Sequence, residues 1–283
     1  MATLGDWWNG LDFLTKSLNL IGCNLSDDKV QHLACQLRSN TIWTTIYLSA
    51  NSLKYSGVNA IAEALRVNTT LVRLTMSMNG VRVYPKPSIA DALKCNHTLK
   101  YLCLSRNHIN DYGGTSLAEA LSDNWTLTHL DLKCNRIGDK AAKAFAKALS
   151  DTNDTLLSLN LSGNCIGHEG GMSIAAALRV NSTLTSLSIT YNSYGLGVNR
   201  AIESAIKEDN FTLEKLHYRC RYRYKYDPGE SLHDIYCPMM HPKARRNRRN
   251  RLETLQQKCA RIIKLHCIVT SSLPPIIIQR HLL

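Results

Sequence analysis

Four sets of residues in the 283-residue chain are of types that do chemistry. Cys103, His129 and Asp131 are the set a thiol nucleophile needs: a sulfur, a base to take its proton and a carboxylate to orient the base. His129 and Asp131 stand 26 and 28 residues after Cys103, so the fold must bring them together. His217-x2-Cys220 and Cys237-x3-His241 have the two-by-two spacing of a tetrahedral zinc site, with 16 residues between the pairs. In "YRCRYRYKY" Arg219, Arg221, Arg223 and Lys225 alternate with Tyr218, Cys220, Tyr222, Tyr224 and Tyr226. Such cations can take phosphates and such rings can stack on bases. Finally, Asn124-Trp125-Thr126 fits the acceptor pattern for N-glycosylation, as do the triplets at Asn68, Asn96, Asn153, Asn181 and Asn210.

Which of these sets can act depends on the elements that position them, and those elements repeat. Leu127, Leu130, Leu132, Asn135 and Ile137 give the spacing L-x2-L-x-L-x2-N-x-I. At steps of 28 residues backward stand Leu99, Leu102, Leu104, Asn107, Ile109; then Leu71, Leu74, Met76, Asn79, Val81; then Trp43, Ile46, Leu48, Asn51, Leu53. A step of 29 forward gives Leu156, Leu159, Leu161, Asn164, Ile166, and a further 28 gives Leu184, Leu187, Ile189, Asn192, Tyr194. A degenerate copy opens the series at Leu18, Leu20, Cys23 and Leu25, and a decaying one closes it at Leu213, Leu216 and Tyr218.

The second half of each period has another rhythm. Val58, Ile61, Ala62 and Leu65 stand at i, i+3, i+4 and i+7, as do Gly114, Leu117, Ala118, Leu121; Ala142, Phe145, Ala146, Leu149; and Gly171, Ile174, Ala175, Leu178. Each set is one apolar stripe along a helix, while the first half alternates as a short strand does. A strand–turn–helix unit of this size cannot bury its apolar side alone. Stacked units form a parallel sheet on a concave inner face with helices on the convex outside. The repeated asparagine (Asn135 and its equivalents) is expected to be buried, its amide satisfying backbone groups in the turn that leaves the strand.

These residues resemble leucine-rich repeats of the ribonuclease-inhibitor type, "TLTHLDLKCNRIGDKAAKAFAKAL" matching that motif closely. The repeat regions of nucleotide-binding leucine-rich-repeat receptors are similar. The resemblance covers about residues 15 to 218. It implies an α/β horseshoe that binds other macromolecules through its concave face, and it implies no catalysis. No G-x4-G-K-[ST] loop occurs, so the receptors' nucleotide-binding module is not found here, and no cofactor is expected.

The repeat re-reads each set. The six N-x-T triplets share one repeat position just past a helix end, where Asn tolerates the left-handed conformation that stops a helix and Thr leads into a strand. A scaffold role explains that common register and glycosylation does not. The repeat places Cys103 beside Asp131 with His129 near, but an open sheet offers little exclusion of water, and no catalytic role is assigned. The zinc reading meets a geometric obstacle, because residues three apart on a strand face opposite sides. In "YRCRYRYKY" the cations and the rings also face opposite sides. Tyrosines packing over the last repeat, with the cations in water, is the favoured reading.

Outward positions of the strands carry the candidates for binding. Tyr47, Arg73, Tyr101, Arg106, His129, Asp131 and Lys133 gather in the earlier copies, whereas the later ones bear mostly hydroxyls. Tyr and Arg are the types that anchor protein interfaces, so a protein partner is expected there.

Charge is distributed unevenly. Of the net +12, residues from 217 onward hold 14 Lys+Arg against 4 Asp+Glu. "HPKARRNRRNRLETLQQKCARIIKLHC" reads as a basic amphipathic helix, apolar at Leu252, Leu255, Cys259 and Ile262 and cationic at Arg245, Arg246, Arg248, Arg249 and Arg251. It suits a cap on the solenoid, and alternatively nuclear import or contact with nucleic acid or acidic membrane. The start of the chain lacks the basic, apolar and small-residue pattern of a secretory signal, and the ten cysteines are read as reduced thiols. The expected organisation is an N-terminal cap over 1–14 (Trp7, Trp8, Leu11, Phe13, Leu14), about eight repeats over 15–218, and a basic cap and tail over 219–283. The chain is expected to be a monomeric, cytoplasmic protein-binding scaffold, with a nuclear location as the alternative.

Overall fold

The structure is a computed structural model that describes residues 16–81, 89–210 and 212–218, all in one unit of the chain, Met1–Cys237. Strands and helices alternate: β1 (Ser17–Asn19), α1 (Asp27–Arg38), β2 (Thr45–Tyr47), α2 (Tyr55–Leu65), β3 (Arg73–Thr75), α3 (Ile89–Cys95), β4 (Tyr101–Cys103), α4 (Asp111–Asp123). Then come β5 (His129–Asp131), α5 (Asp139–Asp151), β6 (Ser158–Asn160), α6 (His168–Val180), β7 (Ser186–Ser188), α7 (Leu196–Glu208) and β8 (Lys215–His217). The eight strands form one parallel sheet in sequential order. This is the α/β solenoid that the repeat predicts. The caps expected over 1–14 and 219–283 lie outside the described residues.

Each strand is only three residues long because the chain must turn at once to enter its helix. The central residues Leu18, Ile46, Leu74, Leu102, Leu130, Leu159, Leu187 and Leu216 are buried and stand in register across the sheet. The helix stripes meet them from the other side. Val58, Ile61, Ala62 and Leu65 of α2 and Ala142, Phe145, Ala146 and Leu149 of α5 are all buried. Helices α1 and α7 follow the same logic through Val30, Leu33, Ala34, Leu37 and through Val198, Ile202, Ala205.

Two ladders of buried asparagine run through the stack. In the turn after each strand, Asn135 Nδ2 donates to Leu104 O (3.0 Å) of the preceding repeat and to Leu132 O (2.9 Å) of its own. Its Oδ1 accepts from Ile109 N at 3.1 Å. Asn51, Asn79, Asn107, Asn164 and Asn192 make the same kind of bonds. The second ladder is built from the N-x-T asparagines. Asn124 is 2% exposed; its Nδ2 donates to Leu93 O (2.7 Å) and Asn96 O (3.0 Å), and its Oδ1 accepts from Thr126 N (3.0 Å) and Leu127 N (2.8 Å). The nitrogen that would carry a glycan is therefore committed inside the fold.

One expectation for these residues is corrected. Asn124 (φ −102°, ψ 119°) and Asn181 (φ −68°, ψ 126°) are extended, not left-handed. The side chain, rather than a reversed backbone, closes off the helix, since an extended backbone lets the amide reach both the carbonyls behind it and the N–H groups ahead. The left-handed conformation occurs elsewhere, at the residue before the first-ladder asparagine. Ala50, Met78, Arg106, Cys134, Gly163 and Tyr191 all have φ between 52° and 67° there, and Gly22 (φ 66°) holds the corresponding place before Cys23. Five of these are not glycine, and each such residue costs about 1–2 kcal/mol. The conformation is held from outside: Arg106 N donates to Lys133 O (2.7 Å) and Cys134 N to Ser162 O (2.7 Å), in the next repeat each time.

Helix starts are also served by the preceding repeat. Asp139 Oδ1, at the start of α5, accepts from Gly167 N (2.6 Å) and Gly170 N (3.0 Å) at the start of α6. Asp111 does the same for Gly138 N (2.8 Å) and Ala141 N (3.0 Å). Those N–H groups have no intrahelical partner, so a carboxylate here satisfies them and complements the helix dipole.

Candidate functional site

Burial of the central strand residues turns their neighbours to the face of the sheet away from the helices. Register then fixes two rows on that open face. One runs Thr45, Arg73, Tyr101, His129, Ser158, Ser186, Lys215, and the other Tyr47, Thr75, Cys103, Asp131, Asn160, Ser188, His217.

The first row contains a stack. The Arg73 guanidinium carbon lies 3.7 Å from the centroid of the Tyr101 ring. The Tyr101 and His129 rings are 5.8 Å apart and tilted by 31°. Arg73 and His129 come from the strands on either side of Tyr101, so both neighbours of the ring are occupied. Burial, and then the negative charges of Cys103 and Asp131, raise the Tyr101 phenol above its ordinary value, with Arg73 acting in opposition. Burial, and then the positive charge of Arg73, lower the His129 imidazole. At neutral pH the stack therefore presents one permanent cation, a phenol and a neutral imidazole. His129 Nδ1 shares a hydrogen with Thr128 Oγ1 at 2.9 Å.

The second row is a chain of small polar groups. Cys103 Sγ is 3.1 Å from Ser77 Oγ and donates toward Asp131 Oδ2 and Ser105 Oγ, both at 3.5 Å. Ser105 Oγ donates to Ser77 Oγ at 2.9 Å, and Asp131 Oδ1 accepts from Lys133 N at 2.9 Å. Cys103 does stand beside Asp131, as the repeat implies. The sulfur–imidazole hydrogen bond on which nucleophilic activation depends is absent among the described residues: His129 is bonded to Thr128, and Cys103, 7% exposed, to Asp131 and the serines.

The remaining expected binding residues take the following places. Arg106 and Lys133 are exposed on consecutive turns joined by the backbone bond Arg106 N to Lys133 O. Tyr47 is half-buried on the second row beside Thr75, one strand from Arg73. The basic residues Arg219, Arg221, Arg223, Lys225, Arg245, Arg246, Arg248, Arg249 and Arg251 lie outside the described residues. So do Cys220, Cys237 and His241 of the zinc spacing; His217 is half-buried on β8. Among the described residues no group of three or more His, Cys, Asp or Glu could hold a metal ion, and no helix is long and apolar enough to cross a membrane.

Sequence reasoning missed one surface feature. Trp125 is 65% exposed, and its ring stacks on that of His97 with centroids 4.4 Å apart and planes 10° from parallel. Both occupy the middle position of N-x-T in consecutive repeats. The 28-residue offset was the available signal.

Three stretches, 95–118, 123–146 and 152–175, match the leucine-rich-repeat family, and they coincide with the regular central copies. The fold is that of a leucine-rich-repeat solenoid. No curated protein matches the chain. Among solved structures, actin-binding site 2 of leiomodin-1 is 20% identical, with a TM-score of 0.41 over 65% of this chain and 89% of that one. The tropomodulin C-terminal domain of Caenorhabditis elegans is 10% identical, with a TM-score of 0.42 over 63% of this chain and 91% of that one.

Proposed function

We propose that the chain is a non-enzymatic scaffold that binds a protein partner through the open, concave face of the sheet, with Arg73, Tyr101 and His129 at the centre of the contact. The Arg73–Tyr101–His129 stack carries this reading. Interfaces concentrate their energy in Tyr and Arg held in fixed geometry, because ordering such side chains beforehand lowers the entropic cost of binding. Tyr47, Arg106, Asp131 and Lys133 surround the stack on the same face and its edge. A cytoplasmic setting, regulatory or of the innate-immune kind, rests on the resemblance to receptor repeat regions alone.

The test is crosslinking and capture of partners from the native cell with the full chain and with the Tyr101→Ala/His129→Ala variant. The double variant should melt at nearly the same temperature and lose a specific partner. Retention of every captured protein by the folded variant would overturn the reading. A second reading, binding of nucleic acid or acidic membrane by the C-terminal segment, draws on the 14 Lys+Arg against 4 Asp+Glu beyond residue 216. Its signature is steep weakening with salt that disappears when 217–283 is removed.

A further inference from the structure

Carboxylates in the described residues are scarce on the strand side of the fold. Of the sixteen, twelve lie in the helices, and Asp131 is the sole one within the eight strands. Asp131 is already engaged, Oδ2 by Cys103 and Oδ1 by the Lys133 backbone. Cations are spread over both layers, nine of the eighteen described ones lying in helices, but Arg73 and Lys215 stand in strands, Lys100 and Lys133 within two residues of one, and Arg106 in the turn after β4. From Arg73 to Lys133 the open face thus carries an excess of positive charge over one bonded carboxylate.

We infer that the partner segment seated on this face is an acidic polypeptide, its carboxylates reaching Arg73, Arg106 and Lys133 around the Tyr101 ring. The inference rests on the protein-binding reading above and specifies the partner's chemistry. Opposite potentials steer encounter and fix register, and cations aligned across successive strands suit a chain laid along the sheet. Arg73 is fixed over Tyr101 and keeps its charge at any physiological pH, so it meets a carboxylate without further ordering. A nucleic acid would also supply negative charge, but single strands gain affinity by stacking bases on free aromatic faces. Tyr101 is flanked on one side by Arg73 and on the other by His129.

The test uses the full chain and fluorescence anisotropy with three labelled probes: oligoglutamate, oligolysine and oligothymidylate. Oligoglutamate should bind with an affinity that falls as salt rises, and Arg73→Gln/Lys133→Gln should weaken it about tenfold. Neutralising Arg245, Arg246, Arg248 and Arg249 should leave that tenfold difference in place. Arg106→Gln, on an exposed turn, gives a second face variant should Arg73→Gln impair folding, and thermal melts check each protein. The inference fails if oligoglutamate does not bind, if its binding is indifferent to the face variants, or if oligothymidylate binds more tightly and depends on the same three cations. It fails too if sedimentation shows that the helix layer of a second copy fills the face. Failure of these outcomes alone leaves partner capture through Tyr101 and His129 intact, whereas capture unaffected by Tyr101→Ala/His129→Ala removes the parent reading.

Discussion

The Arg73 guanidinium sits over the Tyr101 ring at 3.7 Å, held there by the register of β3 and β4. A half-buried pair of this kind contributes about 1 kcal/mol. A double-mutant cycle with Arg73→Gln and Tyr101→Leu, followed by urea unfolding, should return a coupling energy of that size. Arg73 also opposes the rise of the Tyr101 phenol. Arg73→Gln should therefore move the ultraviolet titration of Tyr101 to still higher pH, and a downward shift would contradict the geometry.

His129 titrates below its ordinary value of 6.5, through burial first and Arg73 second. Between the folded and unfolded values the unfolded chain binds more protons. Stability is thus fully present above 6.5 and declines as pH falls through that window. Imidazole NMR should place the His129 midpoint below 6.5, and Arg73→Gln should raise it. The difference in acid sensitivity between wild type and His129→Gln isolates the contribution of this residue from that of the other histidines.

Asn124→Ala should destabilise the fold by about 3 kcal/mol, because it strands two carbonyls and two N–H groups in a buried site. Asp123→Ala next to it, with its side chain 63% exposed and 4.0 Å from Lys94, should change stability by less than about 0.5 kcal/mol. Denaturation midpoints compare the two directly. If the chain is forced through a secretory pathway, mass spectrometry should find no glycan at Asn124 in the folded fraction.

The helix caps of α6 and α7 should respond oppositely to one substitution. A Cβ at Gly167 would lie 2.8 Å from Asp139 Oδ2, so Gly167→Ser displaces the carboxylate that caps α6 and should cost about 1 kcal/mol. Gly195 has nothing within 4 Å of its Cβ position, since α6 begins with His168 where α5 has Asp139. Gly195→Ser adds an N-cap hydroxyl and should stabilise α7 by a few tenths of a kcal/mol, roughly. Thermal unfolding of the pair decides it.

The fold was legible because the same five anchors recur at a constant offset, and Leu130 or Phe145 has one way to be buried once strand and helix alternate. The offset also placed Arg73, Tyr101 and His129 on adjoining strands, so the members of the stack could be named from sequence. Their contacts could not. His129 turns to Thr128 rather than Cys103, a rotamer choice that no spacing encodes. The left-handed turn was hidden because Ala50, Met78, Cys134 and Tyr191 have no local preference for it; hydrogen bonds from the next repeat impose it. Asp139 looks in sequence like an ordinary acidic first-turn residue, and only the stacking of α6 on α5 shows that it serves the following helix.

The asparagine ladders have a consequence for how such a chain changes length. Asn96 bonds to Leu65 O and Asn68 O, and Asn124 to Leu93 O and Asn96 O, one period further on. Excising residues 96–123 would deliver Asn124 to the carbonyls that Asn96 holds and β5 to the edge of β3. Every ladder bond would be remade with a new partner of the same kind, although the Asp111 cap on α5 would be lost. A slip of one residue would break both ladders together and turn the leucines outward. The molecule can thus gain or lose whole copies, which makes the width of its open face a variable adjusted in discrete steps.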